Sequence, residues 1–277
     1  MYTFGYVNLY QKILLSHAVE HTCWRFRVTM HVLLTFDFEE WEGNYTIYKA
    51  DLYHKTQRVV ELLRKYEVPA TFFLDAETTL RYSEAAELLV SGGFELALHS
   101  DHHFGASIES LAKYDFSSQD SETQVARMRS AIEMIRRVIP QFDPKGFRSP
   151  GLRWNEDLYL SLSELNFMYD SSQEDKFVFW PFLKGEIVVI PMNCGDYDSF
   201  CYKIGAKYVV NNWRNNFRRA CQTARKQENA YFLLLAHPSV SGKHQYLAIL
   251  KSILSYINET DAEYSTCSDL AKKIHRT

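Results

Sequence analysis

Short apolar runs rich in β-branched and aromatic residues alternate with longer amphipathic segments from Met30 to the C-terminus. This alternation is typical of repeated strand and helix units around a parallel sheet. The predicted strands are Val32–Phe36, Ala70–Leu74, Phe94–Leu98, Gly146–Arg148, Phe167–Asp170, Ile187–Met192, Tyr231–Ala236 and a last one near Tyr264. About seven such units without a linker predict one barrel-like α/β domain over residues 30–277. Residues 1–29 are then an extension that the fold does not need.

The predicted helices carry an apolar stripe at helical spacing, as in the segment from about Asp51 to Tyr66. Pro69 prevents that helix from continuing. We expect Ser83 and Asn155 to cap the helices that run to Ser91 and to about Leu165. The remaining predicted helices cover residues 117–138, about 207–226, 244–257 and the C-terminal segment up to 274.

The composition excludes some classes of partner. The chain has 277 residues with 31 Lys and Arg against 34 Asp and Glu, so its net charge is −3. Without a surplus of cations to neutralise phosphates, we expect no nucleic-acid partner. The longest apolar runs, such as Tyr231–Ala236, are far shorter than the roughly 18 to 20 residues that cross a bilayer, so we expect no membrane span.

The cysteines and the N-terminal segment favour an intracellular protein. The cysteines are odd in number and no two of them form a CxxC pair, which predicts reduced thiols; they are Cys23, Cys194, Cys201, Cys221 and Cys267. Residues 1–30 have no uninterrupted apolar segment followed by a small-residue cleavage site. We therefore expect a cytoplasmic location.

Polar side chains gather at the C-terminal ends of the predicted strands, which is where parallel α/β folds place their chemistry. These residues are Asp37 with Glu39 and Glu40, His99 with His102 and His103, Arg148, Asp170 and His237. Any one of them is explained equally well by a chain that simply becomes polar where a strand ends. Together they are the residue types that a single metal hydrolase uses.

Two of these groups have spacings with a chemical meaning. Strand alternation puts Asp37 and Glu39 on one face, where one carboxylate can bind an ion and the other can accept a proton. His99 and His103 stand four residues apart and could approach one ion if the backbone after the strand forms a turn.

The ordered set of motifs resembles carbohydrate esterase family 4, the polysaccharide deacetylases with a NodB homology domain. The similar segments are TFDFE at 35–39, HSDHH at 99–103, RSP at 148–150 and LLAH at 234–237. The resemblance implies a distorted (β/α)7-type barrel of the NodB homology type, and it covers roughly Met30 to the C-terminus.

The resemblance also implies a metal site. The family's second aspartate, a metal ligand, is replaced here by Phe38. Subgroups with an Asp-x-Glu first motif place this ligand one residue later, which makes Glu39 the third expected ligand beside His99 and His103. Two imidazoles and one carboxylate suit Zn²⁺ best among the divalent ions.

Further roles follow from the same resemblance. Asp37 is the expected general base, Arg148 holds and orients it, and His237 protonates the leaving amine. Asp170 is the expected residue that orients His237, with Asp175 and Asp196 as alternatives.

The implied activity is the metal-dependent removal of an N-acetyl group from an amino sugar or glycan-related substrate, so the expected partner is a small molecule or a glycan. Two alternatives remain open at this point. One is a metal-independent hydrolase of a small amide C–N bond on the same fold, and the other is an inactive barrel that binds carbohydrate.

Overall fold

A computed structural model describes residues 30–39, 52–102, 115–195 and 206–276. The strands are His31–Phe38 (β1), Thr71–Leu74 (β2), Glu95–Leu98 (β3), Gly146–Phe147 (β4), Tyr169–Asp170 (β5), Phe182–Lys184 (β6), Ile187–Val189 (β7), Cys194–Gly195 (β8), Tyr231–Ala236 (β9) and Glu263–Tyr264 (β10). The helices are Leu52–Lys65 (α1), Ala76–Arg81 (α2), Ser83–Ser91 (α3), Ser121–Arg136 (α4), Asp157–Glu164 (α5), Ala206–Ala224 (α6), Pro238–Ser241 (α7), His244–Ile257 (α8) and Cys267–Ile274 (α9). The predicted extension of residues 1–29 lies outside the described residues.

The strands form one sheet that curls into a half-barrel. Their order is β6-β7-β5-β4-β3-β2-β1-β9-β8, and β10 pairs with the beginning of β1. Every pairing is parallel except that of the edge strand β6 with β7. The sheet is therefore the parallel α/β half-barrel that the strand and helix alternation predicts.

The two faces of the sheet bury different sets of side chains, because successive residues of a strand point to opposite sides. On β1 the outer face carries Val32, Leu34, Phe36 and Phe38, which belong to the large core shared with the surrounding helices. The inner face carries Leu33, which belongs to a smaller core closed by residues of α9. Toward the C-terminal ends of the strands this inner face becomes polar.

Two predicted helix caps are wrong. Ser83 is the first residue of α3, which has no side-chain cap, and α5 likewise begins after Glu156 without one. The Asn155 amide instead donates to the backbone oxygens of Ser117 and Gln119, at 3.3 and 2.7 Å. The Asn155 side-chain oxygen, which would have capped α5, accepts instead from the Gln124 amide at 2.9 Å.

The helix predicted over residues 117–138 is interrupted. Asp120 has an extended backbone and its side chain accepts from the Thr123 amide at 2.9 Å, so α4 begins at Ser121. A separate 3₁₀ turn covers Phe116–Ser118. An aspartate in this position favours a cap over a helix interior, because its short side chain competes for backbone amides.

The sequence reading missed β6, β8 and the short helices α2 and α7, and it made the strand at Ile187 longer than the observed Ile187–Val189. Within the described residues, Cys194, Cys221 and Cys267 are reduced, as predicted for these three. Among the described helices, none combines the length and apolarity that crossing a membrane requires.

Candidate active site

The C-terminal ends of β1 and β9 bring two predicted residues level with each other. Phe36 pairs with Ala236, so Asp37 and His237 are the next residues of two neighbouring parallel strands. Asp37 and Glu39 point to the same inner face, as their spacing predicts. Both carboxylates are 4% exposed, so they are removed from bulk water.

His99 follows β3 and is 1% exposed. Its Nδ1 lies 2.7 Å from the backbone oxygen of Arg148, and since a carbonyl only accepts, Nδ1 carries a proton. Its Nε2 therefore faces the carboxylates, 2.9 Å from Glu39 Oε2 and 3.9 Å from Asp37 Oδ2. Burial lowers the pKa of His99, but the charges of Asp37 and Glu39 outweigh it and the pKa is raised above its ordinary value.

Glu39 is the residue on which the site converges. Its Oε2 meets His99 from β3, and its Oε1 lies 3.3 Å from Nε2 of His237, which follows β9. Strand β1 lies between β2 and β9 in the sheet, so one carboxylate joins imidazoles from both sides of it. Remote parts of the sequence thus meet on one side chain.

Arg148 is fully buried and holds Asp37. Its Nη1 donates to Asp37 Oδ1 at 2.7 Å, while its Nε and Nη2 donate to the backbone oxygen and the hydroxyl of Ser171 at 3.1 and 2.9 Å. The guanidinium also lies 4.0 Å above the ring centre of Phe73. A buried ion pair is tolerated when its remaining polar atoms are bonded, and each guanidinium nitrogen of Arg148 has an acceptor.

A tight turn follows His99. Ser100 has a φ of 98°, a region that residues other than glycine rarely adopt. Arg127 holds this turn by donating to Ser100 Oγ at 3.0 Å and, through its Nε, to Asp101 Oδ1 at 3.0 Å. The backbone direction after the first imidazole is therefore fixed by side chains from α4.

The sequence profile described as polysaccharide deacetylase matches residues 29–169, about half of the chain. This span includes Asp37, Glu39, His99 and Arg148. The chain belongs to the polysaccharide deacetylase family.

Solved structures with the same fold extend over nearly the whole chain. One is described as a polysaccharide deacetylase from Mycobacterium smegmatis, with 20% identity, coverage of 91% of this chain and 92% of that one, and a TM-score of 0.72. The PuuE allantoinase has 16% identity, coverage of 95% of both chains and a TM-score of 0.72. A carbohydrate esterase family 4 pseudoenzyme from Bacillus anthracis has 15% identity, coverage of 88% and 66%, and a TM-score of 0.57. These likenesses confirm the NodB-type barrel. No curated protein matches the sequence.

Among the described residues, five of the expected site residues meet at the inner face of the barrel, namely Asp37, Glu39, His99, Arg148 and His237, but Asp170 does not. Asp170 is in register with Phe147, which lies in the outer core, so its side chain turns away from His237. Its Oδ1 accepts from the amide and hydroxyl of Ser172. The structure does not bring Asp170 to His237, because Ser171, one residue later, occupies the inner face beside Arg148.

Of the two alternatives to Asp170, only Asp175 lies within the described residues, and its side-chain hydrogen bonds are local. Asp175 accepts from the amides of Phe177 and Val178, at 2.7 and 3.1 Å, and so closes its own turn. Asp196 lies outside the described residues, and so does His103, one of the three expected metal ligands.

The donors that the structure describes fit a divalent ion. A histidine that binds a metal usually donates its other ring N–H to a carbonyl or carboxylate, as His99 does to Arg148. A proton lies between His99 Nε2 and Glu39, at the place where an ion would contact both side chains. Within the described residues, which leave out His103, no three His, Cys, Asp or Glu side chains form a complete metal-binding group.

Sequence analysis missed Asp75 in this polysaccharide deacetylase barrel. It follows β2, is 2% exposed, and its Oδ1 caps α2 by accepting from the Thr78 amide at 2.7 Å. Burial raises its pKa to about 7, against the opposing effects of the Thr78 hydrogen bond and the charge of His99. Asp75 ends an apolar strand in the way that Asp37 does, but this position alone does not indicate which side chains lie beside it in the sheet.

Proposed function

We propose that this chain is a metal-dependent hydrolase that removes an N-acetyl group from an amino sugar or a glycan-related substrate. The observation that supports this most is the convergence of His99 and His237 on the Glu39 carboxylate, with Asp37 3.9 Å from His99 Nε2. Family membership supports deacetylation of a glycan, and the buried acid, base and imidazole groups are those that amide hydrolysis needs.

Asp37 is the proposed general base. It accepts a proton from water as the water oxygen bonds to the acetamide carbon. Arg148 fixes the orientation of the Asp37 carboxylate and balances its charge, so that the second oxygen, Oδ2, remains turned toward His99 and the centre of the site.

His237 is the proposed general acid. Its Nε2 points at Glu39, and since an ionised carboxylate only accepts, a proton on this nitrogen faces the site. Transfer of that proton to the amide nitrogen lets the C–N bond break, which gives acetate and the free amine.

Glu39, His99 and His103 are the proposed ligands of the ion, and Zn²⁺ is the ion that a carboxylate with two imidazoles suits best. When bound, such an ion polarises the carbonyl and makes water a stronger acid. The protein's part is to bury the donors and to fix the His99 ring through the Arg148 carbonyl.

A second candidate function is hydrolysis of a small amide without a metal. Its support is the direct contact of Glu39 with both imidazoles, which leaves a complete proton-transfer network in the protein alone. The fold is also that of the PuuE allantoinase.

The test is an assay for acetate release from N-acetylated amino sugars and their oligomers, before and after removal of metal by a chelator. We expect activity to be lost with the ion and to return when Zn²⁺ is added. Undiminished activity after chelation would favour the metal-free hydrolase. Metal bound in stoichiometric amount without turnover of any N-acetylated substrate would favour an inactive binding barrel.

A further inference from the structure

Asp75 lies between two of the proposed metal ligands in the sheet. Phe38 pairs with Leu74, and Leu74 with Leu98, so the residues that follow them, Glu39, Asp75 and His99, are level on three adjacent strands. Backbone hydrogen bonds continue this register, from Asp75 N to Phe38 O at 3.2 Å and from His99 N to Leu74 O at 2.8 Å.

The contact of Glu39 with His99 passes over the strand that carries Asp75. Two strand spacings separate the backbones of Glu39 and His99, roughly 10 Å in a parallel sheet. Their side-chain atoms nevertheless approach to 2.9 Å, so they lean toward each other over β2. The side chain that β2 presents at this level is Asp75.

One of the two oxygens of the Asp75 carboxylate makes no hydrogen bond. Oδ1 accepts from the Thr78 amide, but Oδ2 is buried without any hydrogen bond. A buried carboxylate oxygen is costly to leave unpaired, and native proteins place such groups where a ligand or ion completes them. Thr78 needs only one oxygen, so capping α2 does not account for the second.

We propose that Asp75 Oδ2 is a further oxygen donor to the divalent ion that Glu39 and His99 would hold. The inference rests on the proposed function in so far as that function requires an ion. The site would then have a second carboxylate, from the residue that follows β2. The family motifs place no ligand at this position. One ion would then be held from β1, β2 and β3 together.

Zinc titration of the full chain, stripped of metal by a chelator, tests this without any substrate. Asp75→Asn keeps a good helix cap, because asparagine and aspartate cap equally well, but it removes the charged donor. We expect its Kd for Zn²⁺ to rise about 10- to 100-fold. Asp75→Ser, which also caps, should show at least the same loss and guards against a defect peculiar to asparagine.

Asp120→Asn is the matched control. Asp120 caps α4 through the Thr123 amide in the same way, but it is exposed and remote from the site, so its Kd for Zn²⁺ should equal that of the wild type. Thermal unfolding of each apo variant establishes that it is folded.

The outcomes separate the two proposals. If the wild type binds zinc and both Asp75 variants bind it as tightly, the role of Asp75 is refuted while the metal-dependent function stands. If the wild type binds no zinc, or if Glu39→Gln binds it unchanged, the metal site itself is refuted and the inference on Asp75 falls with it.

Discussion

The inner and outer faces of the sheet each bury an aspartate at a strand end, and the two are used differently. Asp37 on the inner face is bonded to a buried guanidinium and lies beside an imidazole. Asp170 on the outer face is bonded to Ser172 and lies near Tyr159 of α5. The face of the strand, and not the strand end alone, therefore decides whether an acid can take part in chemistry.

The largest expected effect is a loss of turnover when Asp37 on the inner face is replaced. Asp37→Asn keeps the shape but cannot accept a proton, so we expect turnover of an N-acetylated substrate to fall about 100- to 10,000-fold. Steady-state kinetics measure this, with Asp143→Asn on the surface as the control. Turnover close to that of the wild type would remove Asp37 from the mechanism.

The next largest effect is on stability and concerns the ion pair between Arg148 and Asp37. Arg148→Met leaves the buried Asp37 carboxylate unpaired, and we expect the free energy of unfolding to fall by about 3 to 5 kcal/mol. The double variant with Asp37→Asn should recover part of this loss, because no charge then remains buried alone. Urea denaturation measures both, and equal stability of the single and double variants would show that the pair is not the cause.

The smallest expected effect is a pH-dependent change in the free energy of unfolding, caused by Asp170 on the outer face. Burial raises the pKa of Asp170 to about 6, although its hydrogen bonds to Ser172 oppose the rise. The folded state thus binds this proton more tightly than the unfolded state, so the stabilisation present below about pH 4 is lost as the pH rises to about 6.

Asp170→Asn has no such proton to lose. Relative to the wild type, its free energy of unfolding should therefore improve by about 2 kcal/mol between pH 4 and pH 7. Urea denaturation across this range measures the difference, and parallel stability curves for the two proteins would mean that Asp170 does not titrate there.

Much of the inner site could be predicted from strand alternation. The strand that carries Asp37 is regular up to Phe38. The two-residue spacing therefore correctly placed Asp37 and Glu39 on one face. His237 was predictable for the same reason, since β9 is apolar from Tyr231 to Ala236 and the chain turns at Pro238.

The role that the family resemblance implied for Asp170 is not supported by its position, and the strand that carries it begins later than the sequence indicates. The predicted strand started at Phe167, but β5 starts at Tyr169, after Asn166 with a φ of 57°. Phe167 lies in the outer core and Tyr169 in the inner one, so they do not share a face. Regular alternation therefore does not hold between Phe167 and Tyr169, so the face of Asp170 could not be inferred from a strand counted from Phe167.

Asp75 was missed for a different reason. Its neighbours in the chain form an ordinary strand followed by a helix cap, and only the lateral register of three strands brings it between Glu39 and His99. Lateral register depends on which strands become neighbours in the sheet, which a local pattern does not contain.

The central claim is that an ion replaces the proton between Glu39 and His99. Anomalous diffraction at the zinc edge from crystals of the zinc-loaded protein tests it most directly. We expect one anomalous peak, about 2.0 to 2.2 Å from a Glu39 oxygen and from His99 Nε2. Density that shows Glu39 still hydrogen-bonded to His99, with no anomalous peak between them, would contradict it.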